Sequence, residues 1–137
     1  MASPREGGCQ CGAIRYRING EPVTLAICHC KECQRQSGSA FGMSLMVRKE
    51  DFELVSGTLS FFERNSESGR KVGAAFCPKC GVRVYHTPER LQGAALNVRA
   101  GTLDDLSGLT PSVHVWTSSK QPWLELPPGV ATFERQP

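Results

Sequence analysis

Three cysteines occur within six residues in the stretch Cys28-His29-Cys30-Lys31-Glu32-Cys33. The other four cysteines form two distant pairs, Cys9 with Cys11 and Cys77 with Cys80. Four thiolates complete the tetrahedral coordination of a zinc ion, whereas three leave one position for water, a thiol or a substrate. The division into three and four therefore predicts two metal sites of different kinds, with the cluster of three as the working site.

A zinc ion bound by Cys28, Cys30 and Cys33 carries one net negative charge and prefers a sulfur ligand in its open position. A thiol bound there loses its proton and becomes nucleophilic at neutral pH. Attack of this thiolate on a small carbonyl forms a carbon–sulfur bond, and the reverse reaction breaks one. The alternative is that His86 or His114 closes the site as a fourth ligand, although a lone histidine is usually not a ligand.

The segment Cys77-Pro78-Lys79-Cys80-Gly81 has the form of a zinc knuckle. Its two-residue spacer lets both sulfurs reach one ion, and the glycine can adopt the positive φ of the turn. Residues two apart in an extended chain face the same side, so Cys9 and Cys11 can hold an ion together. Pairing them with the knuckle predicts a closed structural site, and a redox or catalytic pair is the alternative.

Several other side chains are candidates for the surroundings of the open site. His29 should project opposite to its cysteine neighbours and pack rather than bind metal. Trp116 and Trp123 could wall a cavity, although core packing is commoner for tryptophan. Basic side chains could contact the carboxylates of a peptide thiol, although a solvated face is favoured for most of them. The basic candidates are Lys31, Arg35, Lys49, Arg64, Arg70, Lys71 and Arg99.

Short strands and turns are expected to position these residues, with no long helix. The strand, knuckle and strand around Cys77 and Cys80 predict a zinc-ribbon hairpin. One helical turn is predicted over 31–36, ended by Gly38. The proline-rich tail, 110–137, is expected to be extended and anchored by aromatics. Apolar patterning and turn signals predict strands over 13–18, 23–27, 40–47, 52–55, 59–64, 71–76, 82–86 and 94–98.

A chain of 137 residues, of which 39% are hydrophobic, is expected to form one domain over residues 1–137. The lack of a long apolar run or a signal-peptide core predicts a cytoplasmic protein without a membrane partner. In that reducing compartment, seven cysteines argue for metal thiolates or catalysis rather than disulfides. Seven thiolates on two zinc ions would cancel the formal charge of +3, so no nucleic-acid partner is expected.

With these motifs in hand, the sequence resembles the glutathione-dependent formaldehyde-activating enzyme family, which also includes relatives of centromere protein V. The three cysteine motifs, in this order, are the specific part of the resemblance. The matching segments are Gly8-Cys9-Gln10-Cys11-Gly12, Cys28-His29-Cys30-Lys31-Glu32-Cys33, Ser37-Gly38-Ser39-Ala40-Phe41, Phe76-Cys77-Pro78-Lys79-Cys80-Gly81, Gly101-Thr102-Leu103-Asp104-Asp105, His114-Val115-Trp116 and Pro122-Trp123.

The resemblance implies a mainly β, zinc-bearing fold of the β-tent type, with antiparallel sheets and only short helical turns. It implies two zinc ions, a catalytic one on Cys28, Cys30 and Cys33 and a structural one on the four other cysteines. The family's named activity is condensation of glutathione with formaldehyde to S-hydroxymethylglutathione, which is carbon–sulfur lyase chemistry. The substrates implied are a small-molecule thiol and an aldehyde.

Two functions from different classes remain open on the sequence. One is a zinc-dependent enzyme that acts on a thiol and a small aldehyde, with the metal as thiol activator. The other is a non-catalytic, zinc-stabilised binding or adaptor module. Chemistry of the methionine sulfoxide reductase type would need a metal-free cysteine, and every cysteine is assigned to an ion. The sequence leaves the physiological substrates and the oligomeric state open.

Overall fold

The computed structural model of the chain describes residues 4–66 and 68–136. Within these ranges the chain forms eleven strands and one α-helix, α1 (Lys31–Ser37), with four short 3-10 segments at Lys49–Asp51, Glu89–Leu91, Ala100–Thr102 and Thr117–Ser119. The predicted mainly β fold with only short helices is confirmed. The strands are β1 (Arg5–Gly8), β2 (Arg15–Ile18), β3 (Thr24–Cys28), β4 (Gly42–Arg48), β5 (Phe52–Ser56), β6 (Ser60–Asn65), β7 (Lys71–Phe76), β8 (Arg83–Pro88), β9 (Ala95–Arg99), β10 (Val113–Val115) and β11 (Ala131–Thr132).

The strands form two sheets. One has three strands in the order β1-β2-β5, and the other has eight in the order β11-β10-β3-β4-β9-β8-β7-β6. Most neighbours are antiparallel, but β10 runs parallel to both β3 and β11. The expectation of antiparallel sheets therefore holds except at this edge, where the extended tail adds two strands. No helix in the described ranges has both the length and the apolar character that crossing a bilayer requires.

The core is built from side chains of both sheets. Tyr16 on β2 stacks on Phe52 of β5, with 5.1 Å between ring centroids, and Phe52 meets the edge of Tyr85 on β8 at the same distance. Burial of such apolar and aromatic surface is the main stabilising contribution to a small domain. The fully buried side chains around these rings include Ile14, Ile18, Leu45, Val47, Val84 and Val98.

The opposite face of the large sheet carries polar residues. Side chains alternate across a strand, so Leu96 and Val98 of β9 enter the core while Asn97 and Arg99 face a cavity on the other side. The register places Asn97 beside His86 of β8. The central strands therefore separate an apolar core from a polar cavity by one layer of backbone.

Candidate metal centres and their cavity

The four paired cysteines meet at one end of the core. Cys9 and Cys11 lie in the turn that follows β1, and Cys77 and Cys80 lie in the turn between β7 and β8. The Sγ of Cys11 is 3.6 Å from that of Cys9 and 3.7 Å from that of Cys77, and all four sulfurs lie within 4.8 Å of one another. A zinc tetrahedron with bonds of about 2.3 Å has sulfurs about 3.8 Å apart. The donor set therefore fits one zinc ion.

Backbone N–H groups donate hydrogen bonds to these sulfurs. Ile14 N–H donates to Cys9 Sγ at 3.2 Å, and Lys79 N–H donates to Cys77 Sγ at 3.4 Å. Donors to sulfur favour the thiolate that metal binding needs. The backbone N–H of Val82 and that of Cys11 hold the pKa of Cys80 near 6. Gly81, with φ of 80°, supplies the left-handed turn that brings the knuckle together.

The three-thiol cluster forms where β3 ends and α1 begins. Cys28 is the last residue of β3, Cys30 caps α1 and accepts a hydrogen bond from Cys33 N–H at 3.2 Å, and the three sulfurs lie within 4.8 Å of one another. Parallel pairing of Val115 with Cys28 supports the strand end. Gly38, with φ of 63°, ends the helix as predicted. The cluster is thus fixed by a strand, a helix cap and a neighbouring edge strand.

His29, His86 and His114 belong to neither thiol cluster of the described residues. His29 is fully buried, and its Nε2 is 2.9 Å from Nδ1 of His114, with the two rings stacked 5.2 Å apart. Phe41 packs edge-on against His29. His29 and His114 therefore form a packing pair. His86 lines the cavity, but its ring nitrogens are not part of the three-sulfur group.

The thiols of the cluster share charge unequally. Hydrogen bonding with Cys28 and Cys33 lowers the pKa of Cys30 to about 2. Hydrogen bonding with Cys30 and Cys33, together with burial, raises the pKa of Cys28. Three sulfurs this close can hold one thiolate and two donors without a cation, whereas a divalent metal would take all three as thiolates. The cluster can therefore hold a metal ion.

Arg99 is a basic residue buried beside this cluster. Its side chain is 7% exposed, and its Nη1 donates to Ser44 Oγ at 2.8 Å. Burial lowers the pKa of Arg99, whereas the charges of Cys33 and Cys28 act to raise it. The guanidinium therefore offsets negative charge on the sulfurs within a poorly solvated region.

The three-thiol cluster opens into a cavity of about 980 Å³. Trp116 lines it as the sequence suggested, whereas Trp123 is 70% exposed and lies elsewhere. Arg35 and Lys49 are also not among the lining residues. Arg90, which no sequence motif singles out, is one of them. The charged lining residues are Lys31, Glu32, Arg64, Arg70, Lys71, Glu89, Arg90 and Arg99. Cations thus outnumber anions around the cavity.

Fold and site together define a mainly β protein with two cysteine clusters able to hold metal ions, one of them open to a large basic cavity. A match to the family described as glutathione-dependent formaldehyde-activating enzyme spans residues 4–119. The chain belongs to this family, as its cysteine motifs predicted.

One curated protein and one solved structure are similar to this chain. A protein of Halomonas elongata named "Putative glutathione-dependent formaldehyde-activating enzyme" is 23% identical over 125 residues, covering 88% of this chain and 80% of its own. A crystal structure of a Rhodobacter sphaeroides protein superimposes with a TM-score of 0.58 over 93% of this chain and 98% of its own, at 18% identity. At that identity the second relative shows the fold alone.

Proposed function

We propose that this protein is a zinc-dependent carbon–sulfur lyase that joins a thiol such as glutathione to a small aldehyde such as formaldehyde, and cleaves the product. The observation that carries the proposal is the three-thiol cluster, which opens into a cavity. Among the described residues, no histidine or carboxylate joins the three sulfurs as a fourth ligand. The family and the name of the Halomonas relative support glutathione and formaldehyde as the substrates.

The two clusters take different roles in this proposal. Cys9, Cys11, Cys77 and Cys80 hold a structural zinc, because four thiolates leave no position for a substrate. Cys28, Cys30 and Cys33 hold the catalytic zinc. When bound, zinc supplies a Lewis-acid position that lowers the pKa of an incoming thiol.

The cavity lining favours an anionic thiol. Arg64 and Arg90 stand among six basic lining side chains, against two acidic ones in the described residues. Glu32 lies 3.9 Å from Arg64, and one Glu89 oxygen accepts a hydrogen bond from the backbone of Lys71. Both acidic residues are therefore engaged within the protein. The remaining cations can bind the carboxylates of a peptide thiol such as glutathione.

The reaction is a balanced addition. The thiol releases its proton to water as the thiolate forms. The thiolate sulfur supplies the electron pair of the new carbon–sulfur bond, and the carbonyl π pair moves onto the aldehyde oxygen, which takes a proton back from water. Cleavage reverses each movement. No oxidant or reductant is required.

Exchange of ¹³C-labelled formaldehyde between its hydrate and S-hydroxymethylglutathione, followed by NMR, tests the proposal. The zinc-loaded protein should accelerate the exchange above the uncatalysed rate. Cys33→Ser should abolish that acceleration, whereas Lys49→Ala, outside the cavity, should retain it. Equal exchange rates with and without the wild-type protein would contradict the enzyme and favour the adaptor module.

A further inference from the structure

Two polar atoms in the cavity wall have no hydrogen-bond partner in the described part of the chain. They are Nε2 of His86 and Oδ1 of Asn97, both buried. The side chains are 6% and 8% exposed, lie opposite one another on β8 and β9, and both line the cavity of the three-thiol cluster. Because cross-strand partners share a face of the sheet, the two unpartnered groups stand side by side.

Such a pair is costly unless something binds it. A buried donor or acceptor without a partner loses the full free energy of its hydration, and most buried polar side chains are therefore paired. Arg99, one pleat further along β9, has its partner in Ser44. Among the described residues, no group pairs with His86 Nε2 or Asn97 Oδ1, so the geometry indicates a ligand group that would complete them.

The pair lies on the same side of the sheet as the three-thiol cluster. Asn97 and Arg99 face the same side of β9, about 7 Å apart along the strand, and the charge of Arg99 acts on Cys33. The charge of Cys30 likewise acts on His86. The pair therefore lines the same cavity as the cluster, within range of the charge on its sulfurs.

The chemical character of the pair fits a hydroxyl. Burial, with the positive charges of Arg99, Arg83 and Arg64, lowers the pKa of His86 to about 3, so the imidazole is neutral at pH 7. A neutral imidazole with its hydrogen on Nε2 donates one hydrogen bond, and Asn97 Oδ1 accepts one. A hydroxyl both accepts and donates, so it satisfies both groups at once.

We propose that His86 and Asn97 bind the oxygen of the aldehyde and become the hydroxyl-binding site for the hemithioacetal product. This inference rests on the proposed function. During addition, His86 Nε2–H donates to the oxygen that receives the carbonyl π pair, and this oxygen takes its proton from water. Asn97 Oδ1 then accepts the hydrogen bond of the new hydroxyl. The pair selects for a thioether that carries an α-hydroxyl.

A pair of nearly isosteric ligands tests the assignment. S-hydroxymethylglutathione, formed in situ from glutathione and formaldehyde, differs from S-ethylglutathione mainly by a hydroxyl in place of a methyl group. Titration calorimetry of the zinc-loaded wild type, with formaldehyde alone and glutathione alone as blanks, should show about tenfold or more tighter binding of the hydroxymethyl compound, as expected for completing buried polar groups. Equal affinities would overturn the assignment.

Variants then test whether His86 and Asn97 cause the tighter binding of the hydroxymethyl compound. His86→Phe and Asn97→Leu should each reduce it to about twofold or less while retaining affinity for S-ethylglutathione. Thr87→Val, which changes an exposed side chain outside the cavity, should keep it. A full preference in both cavity variants would refute the assignment.

The comparison of the two ligands on the wild type tests the assignment even where a variant fails to fold. Binding of both compounds without preference would leave the lyase proposal intact, whereas a wild type that bound neither glutathione nor its adducts would count against both.

Discussion

The guanidinium of Arg99 fills the space above Gly42, where an added Cβ would overlap its Nη2 and come within 3.3 Å of Cys33 Cβ. The missing side chain at the first residue of β4 therefore lets a buried cation reach the three-thiol cluster. Gly42→Ala should displace Arg99 from its hydrogen bond with Ser44. We expect at least a tenfold loss in the rate of adduct exchange, with Tm lowered by roughly 5 °C, as for a modest overpacking.

The matched control is Gly101→Ala, because a Cβ at Gly101 meets no atom within 4 Å and the backbone there needs no positive φ. Its activity and Tm should stay within error of the wild type. An active Gly42→Ala protein, measured by NMR exchange beside this control, would show that the position of Arg99 does not matter to the reaction.

Loss of one ligand from the four-thiol cluster should unfold the chain. Structural zinc contributes about 10–16 kcal/mol of apparent binding free energy, which matches or exceeds the ~5–15 kcal/mol stability of a small domain. Cys80→Ser should therefore lose the far-ultraviolet dichroism of the native sheets and bind less zinc by metal analysis. A native spectrum and unchanged Tm would remove the structural role from this cluster.

The three-thiol cluster should respond differently to the same chemical change. Cys33→Ser should lose one zinc ion per chain and the exchange activity, yet keep the native dichroism, because the core packs on the other face of the sheet. Metal analysis and a melting curve on the same sample check this. Global unfolding of Cys33→Ser would mean that both ions hold the fold together.

His86 should make stability depend on pH. Its folded pKa of about 3 lies below the ordinary 6.5, so the neutral ring stabilises the fold fully above pH 6.5 and loses that contribution as pH falls toward 3. Because unfolding takes up one proton in this range, the free energy of unfolding falls by about 1.4 kcal/mol per pH unit. The loss between pH 6.5 and 5 is about 2 kcal/mol. Urea unfolding of zinc-loaded wild type and His86→Gln should show their stability difference changing by this amount. If the stability difference between the two proteins did not change with pH, His86 would have its ordinary pKa and a solvated ring in the folded protein.

The sequence predicted features that depend on neighbours along the chain. The strand over 71–76 matches β7, and the helical turn at 31–36 falls within α1 with its predicted end at Gly38. The cysteine spacings also anticipated both thiol clusters. These agreements arise because alternation, turn residues and ligand spacing are local properties.

The features that the sequence did not reveal depend on distant partners. β1 has two glycines and two charges, with no alternation, and forms by pairing with β2, where Glu6 lies 3.6 Å from Arg17. The parallel contact of β10 with β3 joins segments more than eighty residues apart. No local pattern encodes either pairing, so both were missed.

The juxtaposition of His86 and Asn97 was missed for a related reason. From the sequence, His86 was a candidate fourth metal ligand. Asn97 was predicted only to lie in a strand. A signal was nonetheless present, because Asn97 and Arg99 interrupt an otherwise apolar strand at alternate positions. Such a pattern indicates a strand with one polar buried face, although only the register of β8 and β9 shows which residues meet there.

Titration of glutathione into the cobalt-substituted protein tests the central claim most directly. Cobalt on three thiolates with an accessible fourth position should gain a further thiolate ligand, seen as growth and a shift of the sulfur-to-metal charge-transfer band, and S-methylglutathione should leave that band largely unchanged. The band assigned to the three-thiol site should be absent in Cys33→Ser. A spectrum that no low-molecular-weight thiol alters would contradict an open metal position and, with it, the proposed enzyme.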